Sequence, residues 1–559
     1  DSQPCLVGSE MCIRDRYSMY QKLVNIFVLF CLFQHFTSQA CTNYIVTKGA
    51  SIDGACYLAY TNDGEWLYNL SQTPARDFIP GDSITFISRD NIAGKIAQVQ
   101  HTYGMIGFQM NEHQVSVGET TFVGREELWN KKAFLEYWHL MTLALERART
   151  AREAVEVITS LAEKYTYASE GESFSIIDPN EAWILEMVGT GIGGKGAIWV
   201  AMRIPDGMVC AHANHARIGE FPLNDPQNCL YSKNVIDFAI KHGLYNPKTD
   251  APFRFNEVYC PASPDRLKYC ETRVWRLFTQ TAPTLNLSPD YHRGVPGAQR
   301  YPLWIKPDRK IGLTDIIDFI RDHYEGTPFD PSLDEAAGPF GNPYRNRPLG
   351  WNADSVHCSW ERTISTANTA FSFIAQARGF LPNPIGGVVW WGVDDTWYTC
   401  YVPIYCGNTS VPEPFNRGSL KKFSWDSAYW VFNFVSNLAN LRYADMIKDI
   451  QQVQQSLEKH MIGQQDSIEA KALKLEAIQQ KAFLTAYSNS QTDTVHQKWL
   501  QLGQDLLTKY NDGYVKDANG NPQETPYPSN YYKGVYRQAK ERYAIPVWPE
   551  SKKATYIPY

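Results

Sequence analysis

Cys41 follows Ser38-Gln39-Ala40, and an apolar run over 23–33 lies upstream behind Lys22. A basic start, a hydrophobic middle and small side chains just before the cut are the order of a secretory leader. Cleavage after Ala40 places a thiol and a free α-amine on one residue. The amine titrates near about 7.7–8.0 and the thiol near about 8.5, so one can take the other's proton close to neutrality. A nucleophile that carries its own base can attack an amide carbonyl. Two other readings stand beside this one. Cys41 could be half of a disulfide, or a lipidated cysteine, although Ser38 stands where a lipid-attachment signal carries an aliphatic residue.

The rest of the composition limits the function. The chain has 559 residues, 44% of them hydrophobic, and a formal net charge of −6. That length supports a large core, in one big domain or two. No broad basic field is present, so nucleic acid is not an expected partner. The apolar run of the leader is shorter than the about 20 residues a membrane span needs. The processed chain is therefore expected to be exported, periplasmic or extracellular, with no stable membrane anchor. Residues 1–18 fit no part of a leader and read as extraneous translated sequence, with Met19 as the start. Three of the twelve cysteines precede position 41, leaving an odd number. Exported chains keep disulfides. Cys260/Cys270 and Cys400/Cys406 are close enough in sequence to pair, but sequence does not fix connectivity.

The elements that must position Cys41 read as follows. Residues 42–47 form a strand, Asp53-Gly54 a turn, and 56–61 the returning strand. Further strands are expected over 104–110 and 113–117. Phe134, Leu135, Trp138, Met141, Leu145 and Ala148 predict a helix over 131–148. Thr150-Ala151-Arg152-Glu153 is a capping box opening a second helix through Lys164. A hairpin joins 172–177 to 182–188 across Asp178-Pro179-Asn180, and a second joins 197–204 to 208–213 across Pro205-Asp206-Gly207. Late strands lie at 387–392 and 398–405. Helices packed beside strand hairpins predict a layered α+β sandwich. From about 424 the pattern turns to long helices, 425–450 and 453–487, rich in Gln, Glu, Lys and Ala but without sustained heptads. A Tyr/Pro-rich tail follows from Tyr514.

Several blocks carry a resemblance. They are Cys41-Thr42-Asn43-Tyr44-Ile45-Val46, Gly49-Ala50-Ser51-Ile52-Asp53-Gly54, and the run from Met110-Asn111-Glu112-His113 to Gly118-Glu119-Thr120-Thr121. Gly171-Glu172-Ser173-Phe174-Ser175-Ile176, Ala211-His212-Ala213-Asn214-His215-Ala216-Arg217-Ile218, Arg362-Thr363-Ile364-Ser365 and Gly387-Val388-Val389-Trp390-Trp391-Gly392-Val393-Asp394-Asp395 follow in order. On these blocks the chain resembles the C69 dipeptidases, N-terminal-nucleophile hydrolases related to choloylglycine hydrolases. The resemblance implies an α+β, four-layer αββα sandwich with a C-terminal helical extension. Together with the leader pattern and the change of character near 424, this gives an expected signal peptide at 19–40, a catalytic domain at 41–423, and a helical region at 424–559 packed on that domain.

The resemblance also implies an exported cysteine-type dipeptidase with short peptides, mainly dipeptides, as its partners and no cofactor or metal; an oligomer is compatible. Its catalytic residues map onto Cys41, Asp63, Asn111, Asn214 and Arg362. Asp63 corresponds to an acidic residue near the α-amine, Asn111 to an oxyanion-hole asparagine, Asn214 to a second active-site asparagine and Arg362 to an active-site arginine. Tyr60 stands where many relatives carry Arg. The alternatives are an acylase or amidase on another linear amide, such as a conjugated bile acid or an N-acyl amino acid, and a non-enzymatic exported binding protein.

Each residue type suits its task. A side-chain amide N–H can meet the oxyanion that forms when a thiolate attacks an amide. A carboxylate can hold the α-ammonium. An arginine beside a thiol favours thiolate, or else grips a substrate carboxylate. Each also has a structural reading: Asp63 as a turn residue before Gly64, Asn111 as a loop residue, Asn214 and Arg362 as framework. Gly191-Ile192-Gly193-Gly194-Lys195-Gly196 fits G-x-G-x-x-G but sits between two strands, so it does not read as a dinucleotide site. His212, His215 and His357-Cys358 lack zinc-ligand spacing and read as core or supporting histidines. Asp394-Asp395 end a strand and are expected to pair with backbone or a basic side chain.

Overall fold

The apolar stretch after Cys41 is buried on both faces because it runs through the middle of a sheet. The computed structural model describes residues 41–547, so the expectations for 1–18 and 19–40 lie outside the described residues. In chain order the principal strands are β1 (Thr42–Val46), β2 (Cys56–Asp63), β3 (Ser116–Phe122), β4 (Gly171–Ile177) and β5 (Ala182–Val188). They continue with β6 (Ile198–Ile204), β7 (Val209–His212), β8 (Thr369–Ala377), β9 (Val388–Val393) and β10 (Val402–Tyr405). The first sheet runs Trp304–Ile305, β7, β1, β2, β8, β9, β10. The second runs Cys229–Tyr231, β6, β5, β4, β3, Met110–Asn111, Met105–Ile106, Gln72–Thr73. The protein is α+β, with antiparallel pairing in both sheets.

The two sheets meet where β1 and β2 lie against β3, and β2 also against β4. Helices α1 (Tyr137–Arg147) and α2 (Ala151–Tyr165) lie on β3, β4 and β5. Leu140, Leu143 and Ile158 from these helices fill a core with Phe174, Trp183 and Leu185. Helix α3 (Pro264–Thr281) lies on β7 of the first sheet. Helix α4 (Ala428–Ala439) lies on β9, and α5 (Tyr443–Ala472) and α6 (Ala477–Tyr510) lie on β10.

One predicted hairpin is corrected. Residues 197–204 and 208–213 do not pair, because β6 joins the second sheet and β7 the first. Thr47, just past β1, explains the switch. Its hydroxyl accepts from the N–H groups of Gly207 and Met208 at 2.9 and 3.1 Å, and its own N–H reaches Met208 O. The turn is thereby docked on the end of β1, and β7 runs along β1 with Asn43 opposite His212. The strand expected at 113–117 lies at Ser116–Phe122 instead, and the helix expected from 131 begins at Tyr137. Leu135 bridges to Tyr167, and the N–H of Glu136 is met by His139 Nδ1, which starts the helix there. The second helix opens as its capping signal predicts, with Thr150 accepting from Glu153 N at 3.1 Å.

The late helices break at 440–442 and 473–476, between α4 and α5 and between α5 and α6, where the sequence periodicity had suggested 451–452. Arg442 leaves helical geometry and binds Asp445, Gly513 O and Thr525 O. The buried face of α5 turns largely polar from Gln454 onward. Gln454, Glu458, Gln465 and Glu469 point at the first sheet, with Met461 and Ala472 among them. Glu458 forks onto Arg321 at 2.7 and 3.0 Å and also accepts from Tyr401 N. Glu469 forks onto Arg378 at 2.7 and 2.8 Å. Neither suggested disulfide is present, and all nine described cysteines are free.

Candidate active site

Cys41 stands at the head of β1 and is fully buried. Helix α3 supplies the group that fixes its main chain. Arg273 donates from Nη1 to Cys41 O at 2.7 Å and to Thr42 Oγ1 at 3.0 Å, and from Nη2 to Asn214 Oδ1 at 2.9 Å. Asn214 follows β7 at a φ of 60°, left-handed backbone that Asn tolerates, and its Nδ2 donates to Thr121 O at 2.7 Å. One guanidinium therefore ties the thiol's residue to an expected site asparagine.

Asp63 ends β2. Thr42 pairs with Thr61, which brings the end of β2 alongside Cys41, and the backbone N–H of Asp63 hydrogen-bonds the thiol. The Asp63 carboxylate accepts from Thr369 Oγ1 at 2.5 Å and Thr61 Oγ1 at 3.2 Å, and is paired with Arg362 Nη2. Arg362 also donates to Thr363 O, and its carbonyl accepts from Tyr324. The expected arginine is thus present but is held by Asp63, so the site does not support its role as a carboxylate grip.

Asn111 is the residue the structure leaves out. Its Nδ2 donates to Leu145 O at 2.8 Å and Ala148 O at 2.7 Å, and its Oδ1 accepts from His113 N and Val115 N. Both amide ends are engaged in closing the C-terminus of α1, which is why no N–H of this side chain is turned toward Cys41.

Two groups outside the expected catalytic set touch the sulfur. Glu119 Oε1 lies 3.4 Å from Cys41 Sγ, and Tyr60 Oη lies 3.7 Å from it. Tyr60 donates to the same Glu119 oxygen, and Asn62 donates to Tyr60. Tyr60, the departure from the family pattern, therefore belongs to the site. Gly118 makes room: a Cβ there would lie 2.6 Å from Asn43 Oδ1 and 3.4 Å from Tyr60 Cβ. The available signal was a charged residue in the middle of a strand otherwise patterned for burial. Arg273 had no comparable signal.

The electrostatics differ from those expected of a thiol beside an arginine. Burial, then the charges of Glu119 and Asp63, hold the Cys41 thiol well above its ordinary range, so in this chain it is protonated. The nitrogen of Cys41 is an amide in the 559-residue chain, so no α-ammonium opposes them. Cys260 behaves in the opposite way. It faces His215, which accompanies Glu271 at 3.3 Å, and the imidazolium outweighs burial and lowers the thiol. His215 is pushed up to about 10 against burial by Cys260 and Glu271. His212 is buried between Thr120 and Ser175, at 2.7 and 2.5 Å. Asp394 accepts from Asn433, Ser436 and the Asp395 N–H, and Asp395 from Ser365 and Trp397 N, so of the two expected kinds of partner each has the backbone one.

A buried thiol at the head of a central strand, held by an arginine and flanked by carboxylates, accords with amide-bond chemistry. Residues 73–456 match the model of Peptidase family C69, and the chain belongs to that family. It is a peptide-bond hydrolase. Cys41 and Asp63 precede the matched stretch. Among its relatives is Dipeptidase A of Lactobacillus helveticus, 24% identical over 503 residues, covering 83% of this chain and 95% of that protein. A probable dipeptidase of Latilactobacillus sakei is 24% identical over 421 residues, covering 72% of this chain and 82% of its own. One from Salmonella dublin is 27% identical over 387 residues, covering 66% and 81%.

Proposed function

We propose that this chain, cut after Ala40, is an exported cysteine-type dipeptidase whose nucleophile is the Cys41 thiol and whose base is the α-amine of the same residue. In this reading 41–423 is the catalytic domain, 424–559 is the helical region packed on it, and the paired sheets with helices on their outer faces are the four-layer αββα sandwich of N-terminal-nucleophile hydrolases. The observation that carries it is the setting of Cys41, with Arg273 on its carbonyl oxygen and the Asp63 N–H on its thiol. Asp63 stands at the end of the paired strand, where a carboxylate can orient an α-ammonium. Asn214 is linked to the reacting residue through Arg273, which also holds the Cys41 carbonyl oxygen. The dipeptide assignment is supported by the names of the relatives.

In the reaction the thiol proton passes to the amine and sulfur attacks the peptide carbonyl. The amine fragment leaves with a proton, and water releases the acyl group from sulfur. Secreted protein should begin at Cys41 by intact mass. The Cys41→Ala protein should fold but show no turnover, a thiol alkylator should abolish the rate, and a chelator should not. A panel of dipeptides, their N-acylated and C-amidated analogues and a bile-acid conjugate tests the substrate. Preference for the conjugate or for blocked peptides would move the assignment to an acylase.

A further inference from the structure

The carboxyl group nearest the sulfur is itself paired with a second one. Glu119 on β3 and Glu172 on β4 are diagonal neighbours across the strand pair, since Thr121 is opposite Glu172 and Glu119 opposite Phe174. Both are fully buried, and their carboxyls are in hydrogen-bond contact. Glu119 Oε1 takes Tyr60 and faces Cys41 Sγ, while Glu172 Oε2 takes Thr121 Oγ1 at 3.0 Å. The remaining oxygens, Glu119 Oε2 and Glu172 Oε1, have no donor of their own. Carboxylate oxygens only accept, so two carboxyls can bond each other only if one carries a proton. Two ionised carboxylates in such contact, away from water, repel strongly; one shared proton removes that penalty.

We propose that Glu119 and Glu172 hold one proton between them, and that Glu119 is a further catalytic residue, a second base for the Cys41 thiol beside the α-amine. This rests on Cys41 being the nucleophile. On attack the S–H bond breaks and an O–H bond forms on Glu119. The sulfur pair forms the C–S bond, and the carbonyl π pair moves to oxygen. On collapse the C–N bond breaks with its electrons on nitrogen, and nitrogen takes the Glu119 proton, leaving a thioester and a free amine. Water then adds to the thioester and gives its proton to Glu119. The C–S bond breaks, and sulfur recovers that proton. Glu172 positions Glu119 and tunes it, and so does Tyr60. Burial pushes the Glu119 carboxyl up, toward the range of a useful base, and holds Glu172 higher still with the help of Glu119. The other titratable or charged groups facing the pair are Asp63 and Arg362 beside the thiol, Tyr137 of α1, and Tyr167, Glu170 and Arg89 near Glu172.

The test uses the processed enzyme with a cleaved dipeptide. Glu119→Gln keeps shape and hydrogen bonding but removes the acceptor for the thiol proton. Its kcat should fall by about 100-fold or more, the range of a general base. If Glu119 acts only through its charge, its removal eases ionisation of the thiol, and the variant is as fast or faster, which overturns the proposal. Glu172→Leu removes the donor that the shared proton gives Glu119. A carboxylate without that hydrogen bond binds its proton more tightly, so the acid limb of the kcat profile should move to higher pH by about one unit or more. An unmoved profile is incompatible with the shared proton, and this arm decides the matter if Glu119→Gln fails to fold. Full turnover by Cys41→Ala would remove the nucleophile and this proposal together. An inert Cys41→Ala beside an unaffected Glu119→Gln would remove this proposal alone.

Discussion

Arg273 reaches from the middle of α3 to the carbonyl oxygen of Cys41 at 2.7 Å, while its other terminal nitrogen holds Asn214 at 2.9 Å. The planar fork of a guanidinium can make both contacts at fixed spacing, and an ammonium cannot. Arg273→Lys is therefore expected to keep the charge and lose the alignment. Its kcat should drop by at least about tenfold with a smaller change in KM, since the thiol's residue and the amide beside it shift together. Steady-state kinetics on a dipeptide checks this, and an unchanged kcat would reduce Arg273 to framework.

Asn111 gives the opposite expectation. Asn111→Ala leaves Leu145 O, Ala148 O and the N–H groups of His113 and Val115 without their partner. Unpaired buried groups each cost about 1–3 kcal/mol, so the variant should unfold at clearly lower urea concentration. Its kcat per folded molecule should stay near that of the parent. A hundredfold loss of kcat at unchanged stability would restore Asn111 to the oxyanion.

The ion pairs under α5 can be tested by stability alone. Glu458→Ala strands Arg321, and Glu469→Ala strands Arg378, in buried surroundings. Removing one partner of a buried pair costs about 3–5 kcal/mol. Denaturant midpoints should fall accordingly for each variant, and a loss below about 1 kcal/mol would mean that water reaches these pairs.

Asp394 predicts a pH dependence. Burial raises its carboxyl to about 7, against hydrogen bonds from Asn433 and Ser436. The unfolded side chain ionises near about 3.9, so between these two values the folded state binds the extra proton. Stability from this group is complete below pH 4 and is lost as pH rises to about 7, by a few kcal/mol. Asp394→Asn should flatten that part of the stability–pH curve. A curve identical to the parent's would show that Asp394 is ionised when folded.

Much of the frame was legible because it is written in local terms. The hairpin of β4 and β5 announces itself through alternating side chains and Asp178-Pro179-Asn180, and α2 through Thr150 and Glu153. The turn at Pro205-Asp206-Gly207 was equally visible, but a turn does not say which strand the chain will join; Thr47, far away in sequence, decides that. Cys41 drew attention through the leader-like residue pattern in front of it. The pairing of Asp63 with Arg362, separated by 299 residues, has no local signature. Glu119 was hidden because a carboxylate inside a buried strand contradicts the pattern that defines the strand. The polar face of α5 likewise blurred the helix boundaries, since Gln454, Glu458, Gln465 and Glu469 read as solvent-facing.

That polar face also sets an order in time. Synthesis delivers Arg321 137 residues before Glu458 and Arg378 91 residues before Glu469. At about 5–20 residues per second the ribosome needs several seconds to bridge either interval. Throughout that delay β8 and its neighbours exist without Glu469, and the Arg378 guanidinium has the carbonyl oxygens of Gly386 and Ile385 to meet it but no carboxylate. A product that ends before residue 469 lacks the carboxylate partner of Arg378, and losing one side of a buried pair costs about 3–5 kcal/mol.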